Sequence, residues 1–235
     1  MTERPILFSA EMVRDILDGR KTQTRRKMKV QPWPDATVEV GPYHPHFIDR
    51  HGESHPGPAT FGAIWDHQNI VNGGDAGLRC PYGAPGDLLW VRETCWAEST
   101  FDGDGVRYAA DHVWRIIKNT PEASEAWCKL ARYGGDAALD NQTNIGRRVP
   151  SIHMPRWASR ITLRITDVRV ERLHDISEED AKAEGADFVD YKIESCPGLG
   201  TYKEGFTRLW RDINGFASLI ENPWVWALSF ERVKP

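Results

Sequence analysis

The sequence lacks any long apolar segment. None of its hydrophobic runs approaches the ~20 residues that a membrane-spanning helix needs. The first residues, MTERPILFSAEM, also lack the basic start and the extended apolar centre of a secretory signal peptide. We therefore expect a cytoplasmic protein with no membrane partner.

Cysteine is scarce and scattered. No two of the four cysteines form a Cys-x-x-Cys pair: Cys80, Cys95, Cys128 and Cys196. In a cytosolic chain such thiols are expected to be reduced and structural. The histidines at 44, 46, 51 and 55 lie in a loop-like region and lack the tight pairing of zinc ligands, so we expect no metal and no other cofactor.

An excess of positive charge is also missing. The chain carries 30 Lys and Arg against 34 Asp and Glu, and its net charge is -4. Proteins that bind nucleic acid without regard to sequence are usually strongly basic, so this class is disfavoured, whereas a local basic pocket for one nucleotide is not. The sequence contains neither a glycine-rich phosphate loop nor a Gly-x-Ser-x-Gly nucleophile motif, and nothing in it indicates a dinucleotide fold.

Strand-like segments are found near both ends of the chain. They predict strands at 5–9, 22–30, 88–93 and 159–173, and a closing strand in NPWVWALSFERV. Short helices are predicted after the capping residues Ser9, Thr120, Ser177 and Thr201, with glycine stops at Gly19 and Gly185.

Residues 31–79 and 97–150 are irregular and are predicted to be large insertions. In the segment 159–173 the apolar alternation changes parity at Thr166 and Asp167, which is typical of a bulge where a sheet curls into a barrel. The predicted fold class is therefore α+β: one domain over residues 1–235, built on a small, mostly antiparallel barrel with short flanking helices.

Most of the cations near the N-terminus are concentrated in LDGRKTQTRRK, residues 17–27. One interpretation is a solvated basic edge strand, and the other is an anion or nucleotide site with a lysine beside a hydroxyl. Strand residues three apart face opposite sides, so Lys21 and Thr24 converge only if Lys21 lies in the turn after Gly19. In that arrangement a neutral Lys21 amine could take the proton of the Thr24 hydroxyl.

Two further features could carry chemistry. Glu184 is predicted at the C-terminal end of a short helix, where the helix dipole disfavours an anion by ~0.3–1 kcal/mol. Its carboxylate is therefore either left to solvent or held for a purpose such as general acid-base catalysis. The segment RRVPSIHMPRWASR, residues 147–160, interleaves arginine with Trp157. Such a segment can grip a nucleotide, or it can be a structural strap in which arginines cover tryptophan rings.

These segments together resemble the ASCH domain, a barrel related to the PUA fold. GRKTQTRR matches the signature Gly-x-Lys-x-x-(Thr or Glu)-x-Arg, and ISEEDAKAEG and WVWALSFERV stand where that family has its acidic helix and last strand. The whole chain is similar to longer ASCH proteins of phages and prophages, which share the stretches PYGAPGDLLWVRE and SIHMPRWASRITL. The resemblance covers about half of the chain: roughly 5–30, 83–96, 157–185 and 206–233.

The resemblance implies a function and a site. The site is similar to that of the bacterial N4-acetylcytidine amidohydrolases, whose catalytic lysine, threonine and glutamate would fall on Lys21, Thr24 and Glu184. The implied activity is removal of an acyl group from the exocyclic amine of a modified nucleoside, without a cofactor. The predicted substrate-binding residues are Arg26, Trp90, Arg156, Trp157 and Arg160. The alternatives are a module that binds single-stranded RNA or a nucleotide without catalysis, and a phage accessory protein that acts through protein contacts.

Overall fold

The computed structural model describes residues 1–48, 50–65, 76–132, 148–191, 198 and 200–233. Cys196, Arg147 and the predicted helix end near residues 134 and 135 lie outside the described residues. The strands are β1 Glu3–Leu7, β2 Gln23–Lys27, β3 Val38–Tyr43, β4 His46–Ile48, β5 Ser54–Pro56, β6 Thr60–Trp65, β7 Ala76–Arg79, β8 Leu88–Arg92, β9 Cys95–Thr100, β10 Gly103–Tyr108, β11 Trp114–Ile116, β12 Arg148–Val149, β13 Thr162–Arg172, β14 Val189–Asp190, β15 Gly200–Thr201 and β16 Trp224–Val233. The helices are α1 Ala10–Leu17, α2 Pro121–Arg132, α3 Glu178–Ala183, α4 Tyr202–Asn214 and α5 Phe216–Ile220.

The mixture of strands and helices confirms the α+β class. The chain divides into two compact units, each made of separate segments: residues 1–2, 20–87 and 164–231 form the first, and residues 3–19, 88–163 and 232–235 form the second. Among the described residues, strand pairing closes no barrel, so the PUA-like barrel stays a prediction. No helix in these residues is long and apolar enough to cross a membrane.

The first unit is organised around β16. This strand pairs antiparallel with β2, so that Thr24 lies opposite Leu228 and Arg26 opposite Trp226, and its other neighbour is β13. The helices α3 and α4 pack beside these strands through one apolar cluster, whose buried members are Leu173, Ile176, Ala181, Ala186, Phe206, Trp210 and Val225. Buried residues Leu163, Ile165 and Val168 along β13 confirm the predicted change of parity.

The second unit contains β1 parallel to β8, with Ile6 opposite Val91, and an antiparallel sheet in the order β11, β10, β9, β12. The helix α2 packs on β9 and β10 and contributes Leu130 to their core. Tyr108 and Met154 are buried in the same core.

Residues 31–79 and 97–150 contain more strand than their composition indicates. In both regions glycine lies inside a strand, which ordinarily weakens a strand prediction. The structure gives the reason: a Cβ on Gly62 would meet the Leu78 carbonyl of β7, and one on Gly105 would meet the Trp114 ring of β11. These glycines permit a close approach to the neighbouring strand and do not end the strands that contain them.

Candidate active site

The turn before β2 places Lys21 at the end of α3. Gly19 has a φ of 75°, a left-handed conformation that glycine adopts without the penalty of a side chain, and Lys21 follows it outside the strand. The Thr22 amide donates to the Ala183 carbonyl at 2.8 Å, and the Thr22 carbonyl accepts from the Phe230 amide at 2.9 Å. These two bonds attach the turn to α3 and to β16.

This turn brings Lys21 into contact with Glu184, although most of the first unit's sequence separates the two residues. The Lys21 Nζ atom donates to the Glu184 Oε2 atom at 2.7 Å and to the Glu184 carbonyl oxygen at 2.7 Å. Their side chains are 0% and 4% exposed. Glu184 is the C-terminal cap of α3, and a cation near a helix C-terminus is favourable. Its carboxylate is therefore held by protein groups and is not left to solvent.

Arg25 binds the other oxygen of the same carboxylate. Its side chain is 0% exposed, and its NH1 atom donates to Glu184 Oε1 at 3.2 Å and to Gln23 Oε1 at 2.5 Å. The Nε atom donates to Glu171 Oε1 at 2.8 Å, the NH2 atom donates to the same Glu171 oxygen, and NH2 also reaches Asp180 Oδ2 at 2.9 Å. A buried arginine is tolerated only with such partners, because its charge has lost its hydration.

The buried Gln23 and the partly exposed Arg169 complete this network. The Gln23 amide donates to Asp180 Oδ1 and to Ser229 Oγ, each at 3.1 Å, and Arg169 NH2 donates to Asp180 Oδ2 at 3.0 Å. Burial alone would raise the pKa of Asp180, but the hydrogen bonds from Arg169 and Gln23 and the charge of Arg25 outweigh burial and lower it. The network thus sets three cations, Lys21, Arg25 and Arg169, against the carboxylates of Glu171, Asp180 and Glu184.

Thr24 and Arg26 share the opposite face of β2, because strand side chains alternate. Thr24 is 2% exposed. Among the described residues, no hydrogen bond joins its hydroxyl to Lys21 or Glu184. Burial lowers the pKa of Arg26, and interactions with Tyr82 and Glu184 oppose this shift. Burial likewise raises the pKa of Tyr82, against the charge of Arg26.

The other predicted substrate-binding residues belong to the second unit. Trp90 lies in β8, and the guanidinium groups of Arg92 and Arg156 stand over its ring at 5.4 Å and 6.0 Å from the centroid. Arg156 also donates from NH2 to Glu3 Oε1 at 2.7 Å and to Thr162 Oγ1 at 3.2 Å. This is the arrangement expected of a structural strap, in which arginines cover a tryptophan face.

Arg160 is bound by two carboxylates. Its Nε and NH2 atoms donate to Glu93 at 2.8 Å and 3.0 Å, and NH1 donates to Asp111 at 2.7 Å. Burial alone would lower the pKa of Arg160, but these bonds outweigh it and raise the pKa. The guanidinium also lies 3.9 Å above the Tyr108 ring. Trp157, in contrast, is 40% exposed and lines a cavity of the second unit.

Four residues of this network were not predicted to be site residues from the sequence: Gln23, Arg25, Glu171 and Asp180. Two signals were present. Positions 21, 23 and 25 share one parity, so a lysine in the preceding turn points to the face that also carries Gln23 and Arg25. Asp180 precedes Glu184 by four residues, a spacing that places two side chains on one helix face.

The contact between Lys21 and Glu184 is suited to proton transfer. A proton that reaches the Lys21 amine is one hydrogen bond from the Glu184 carboxylate. Within the described ranges, no group of three His, Cys, Asp or Glu side chains is placed to hold a metal ion.

We compared the chain with family models, with curated proteins and with solved structures, and no match was found in any of the three.

Proposed function

We propose that this protein is a hydrolase that removes an acyl group from the exocyclic amine of a modified nucleoside such as N4-acetylcytidine. The proposal includes the finer fold assignment, an ASCH domain with a PUA-like barrel. Lys21 is the base, Thr24 the nucleophile, and Glu184 the residue that carries the proton to the leaving nitrogen.

One observation carries the proposal: the buried contact of 2.7 Å between Lys21 Nζ and Glu184 Oε2. Removing two charges from water costs several kcal/mol per ion, and apolar residues of similar size are often as stable or more stable in their place. A buried lysine-carboxylate pair therefore suits a site that moves protons, and Thr24 is a buried hydroxyl three residues from Lys21 in sequence. The resemblance assigns the same three residues to catalysis.

The reaction proceeds in two steps that balance. The Lys21 ammonium group first passes a proton to the Glu184 carboxylate across their hydrogen bond, which leaves a neutral amine and a carboxylic acid. The amine then takes the Thr24 hydroxyl proton as Oγ attacks the acyl carbonyl, and the C–N bond breaks when Glu184 delivers its proton to the exocyclic nitrogen. The products of this step are the free nucleoside and an acyl ester of Thr24. Water, deprotonated by the same pair, then hydrolyses the ester and releases the carboxylic acid. Among the proposed substrate-binding residues, Arg26 is the one nearest in sequence to Lys21 and Thr24.

The proposal is tested by incubating the protein with N4-acetylcytidine and measuring cytidine and acetate by chromatography. Glu184→Gln and Thr24→Val keep the size of the side chains, and we expect each to reduce kcat by at least about a hundredfold. Thr24→Ser retains a hydroxyl and should keep part of the activity. Thr22→Val is the matched control, since Thr22 is exposed and its backbone alone makes the bonds described above.

Outcomes are read only from variants whose thermal unfolding stays cooperative. Turnover lost in Glu184→Gln and Thr24→Val but kept in Thr22→Val supports the enzyme. Absence of turnover on a panel of N4-acylated cytidines, or equal turnover in Thr24→Val and the parent protein, overturns it. Salt-sensitive binding of a single-stranded oligonucleotide without turnover would instead favour the binding module.

A further inference from the structure

The second unit contains a cavity of about 530 Å³, remote in sequence from the lysine-glutamate pair. Residues of β10, of β11 and the loop after it, of the N-terminal half of α2 and of the segment around Trp157 line it. A volume of this size falls within the range of pockets that hold small organic ligands. The residues that decide its chemistry are Tyr108, Arg115, Lys118, Glu122 and Trp157.

Positive charge predominates in the lining. Arg115 and Lys118 are both exposed, and neither forms an ion pair with a described residue. This distinguishes them from other cations of the second unit, since Lys129 pairs with Glu125 at 2.7 Å and Arg160 pairs with Glu93 and Asp111. Glu122 is the single carboxylate among the lining residues, so cations outnumber carboxylates in the lining.

Aromatic surface lies beside these cations. Trp157 is 40% exposed, whereas most large apolar residues in the core of this unit are buried. Tyr108 is buried, and its hydroxyl donates to the Ala158 carbonyl at 2.8 Å. Burial raises the pKa of Tyr108 to about 12, against the charge and hydrogen bond of Arg115, so the phenol adds no negative charge near neutral pH.

An exposed tryptophan and two cations that form no ion pair with a described residue are complementary to a ligand with a planar ring and an anionic group. Bases stack on tryptophan whatever their identity, and arginine and lysine bind phosphate through charge-assisted hydrogen bonds. We propose that this cavity binds a nucleoside monophosphate, with the base against Trp157 and the phosphate between Arg115 and Lys118. The proposal does not depend on catalysis in the first unit.

Isothermal titration calorimetry of the full chain with cytidine monophosphate tests the proposal, with cytidine and inorganic phosphate as partial ligands. We expect saturable binding at one site, and binding of either partial ligand at least about tenfold weaker. Arg115→Ala, Lys118→Ala and Trp157→Ala should each weaken binding about tenfold or more, and Trp157→Phe should retain most of it. Lys129→Ala, on α2 but outside the lining, should bind as the parent protein does.

The lining residues chosen are exposed, so these variants are expected to fold, and their melting temperatures should confirm it. The proposal is overturned if no saturable binding occurs, if cytidine binds as tightly as the monophosphate, or if the cation variants bind as the parent does. Failure of the amidohydrolase assay leaves this result unaffected, because binding here is measured by heat and mapped by residues of the second unit alone.

Discussion

The Lys21 ammonium group donates to both the side chain and the backbone of Glu184, each at 2.7 Å. Lys21 therefore caps the C-terminal end of α3 and binds the Glu184 carboxylate with the same ammonium group. A single side chain is therefore a helix cap and, in the proposed reaction, the base. Changes at Lys21 should consequently affect stability and activity together, whereas changes at Thr24 should affect mainly activity.

Replacing Lys21 by methionine should reduce the free energy of unfolding by about 3–5 kcal/mol, because it leaves a buried carboxylate oxygen and a helix carbonyl without their donor. Urea denaturation measures this change. In the Lys21→Met protein, the further substitution Glu184→Gln should reduce the free energy of unfolding by less than it does in the parent protein. The coupling energy between the two substitutions should be about 0.5–3 kcal/mol. Strict additivity of the two substitutions would contradict a direct ion pair.

Replacing Arg25 by lysine should destabilise the protein about as much as Lys21→Met does, although the positive charge is retained. Arg25 is bound to three carboxylates and to Gln23 from three different nitrogens, and one ammonium group cannot span them. We expect a loss of about 3 kcal/mol or more in the free energy of unfolding. Lys27→Met, on the same strand with an exposed Glu221 partner, should cost less than about 1 kcal/mol. Equal losses would show that burial of Arg25 is not decisive.

Asp180→Asn should change how stability depends on pH. The folded protein lowers the pKa of Asp180 below its ordinary value of 3.8, so the carboxylate contributes stability above that value and loses it as the pH falls through the folded pKa. The difference in melting temperature between the parent and Asp180→Asn should be largest at neutral pH and should decrease below about pH 4. A difference that is independent of pH in acid would contradict the assigned ion pairs.

The sequence predicted local structure better than it predicted this network. Ser9 and Ser177 cap α1 and α3, since each hydroxyl accepts an amide of the first turn, and Gly185 ends α3 with a φ of 80°. These are interactions between residues close in sequence. Apart from Gln23, the hydrogen-bonded partners of Arg25 come from two distant segments, β13 and α3 with its C-terminal cap. Alternation along β2 alone does not reveal that Glu171 and Asp180 lie against its face.

The same limit applies to the candidate site. Lys21 and Glu184 were chosen from a motif and from an anion at an unfavourable helix end, and the structure brings them together. Arg156 was chosen because arginine alternates with tryptophan in residues 147–160, and Trp90 as a ring that could stack on a base. Neither signal distinguishes a nucleotide clamp from a strap. In the structure Arg156 and Arg92 lie over the Trp90 ring, and Arg156 donates to Glu3 and Thr162.

Gly205→Ala tests the packing of α4, which carries Phe206 and Trp210 into the core of the first unit. A Cβ at this position would overlap the Asp187 carbonyl group, so the helix must move although alanine favours helices by about 1 kcal/mol. We expect a net loss of about 1–3 kcal/mol in urea denaturation. Gly41→Ala is the control, since nothing lies within 4 Å of its Cβ position, and it should change stability by less than about 0.5 kcal/mol. Unchanged stability of Gly205→Ala would mean that α4 does not approach Asp187 this closely.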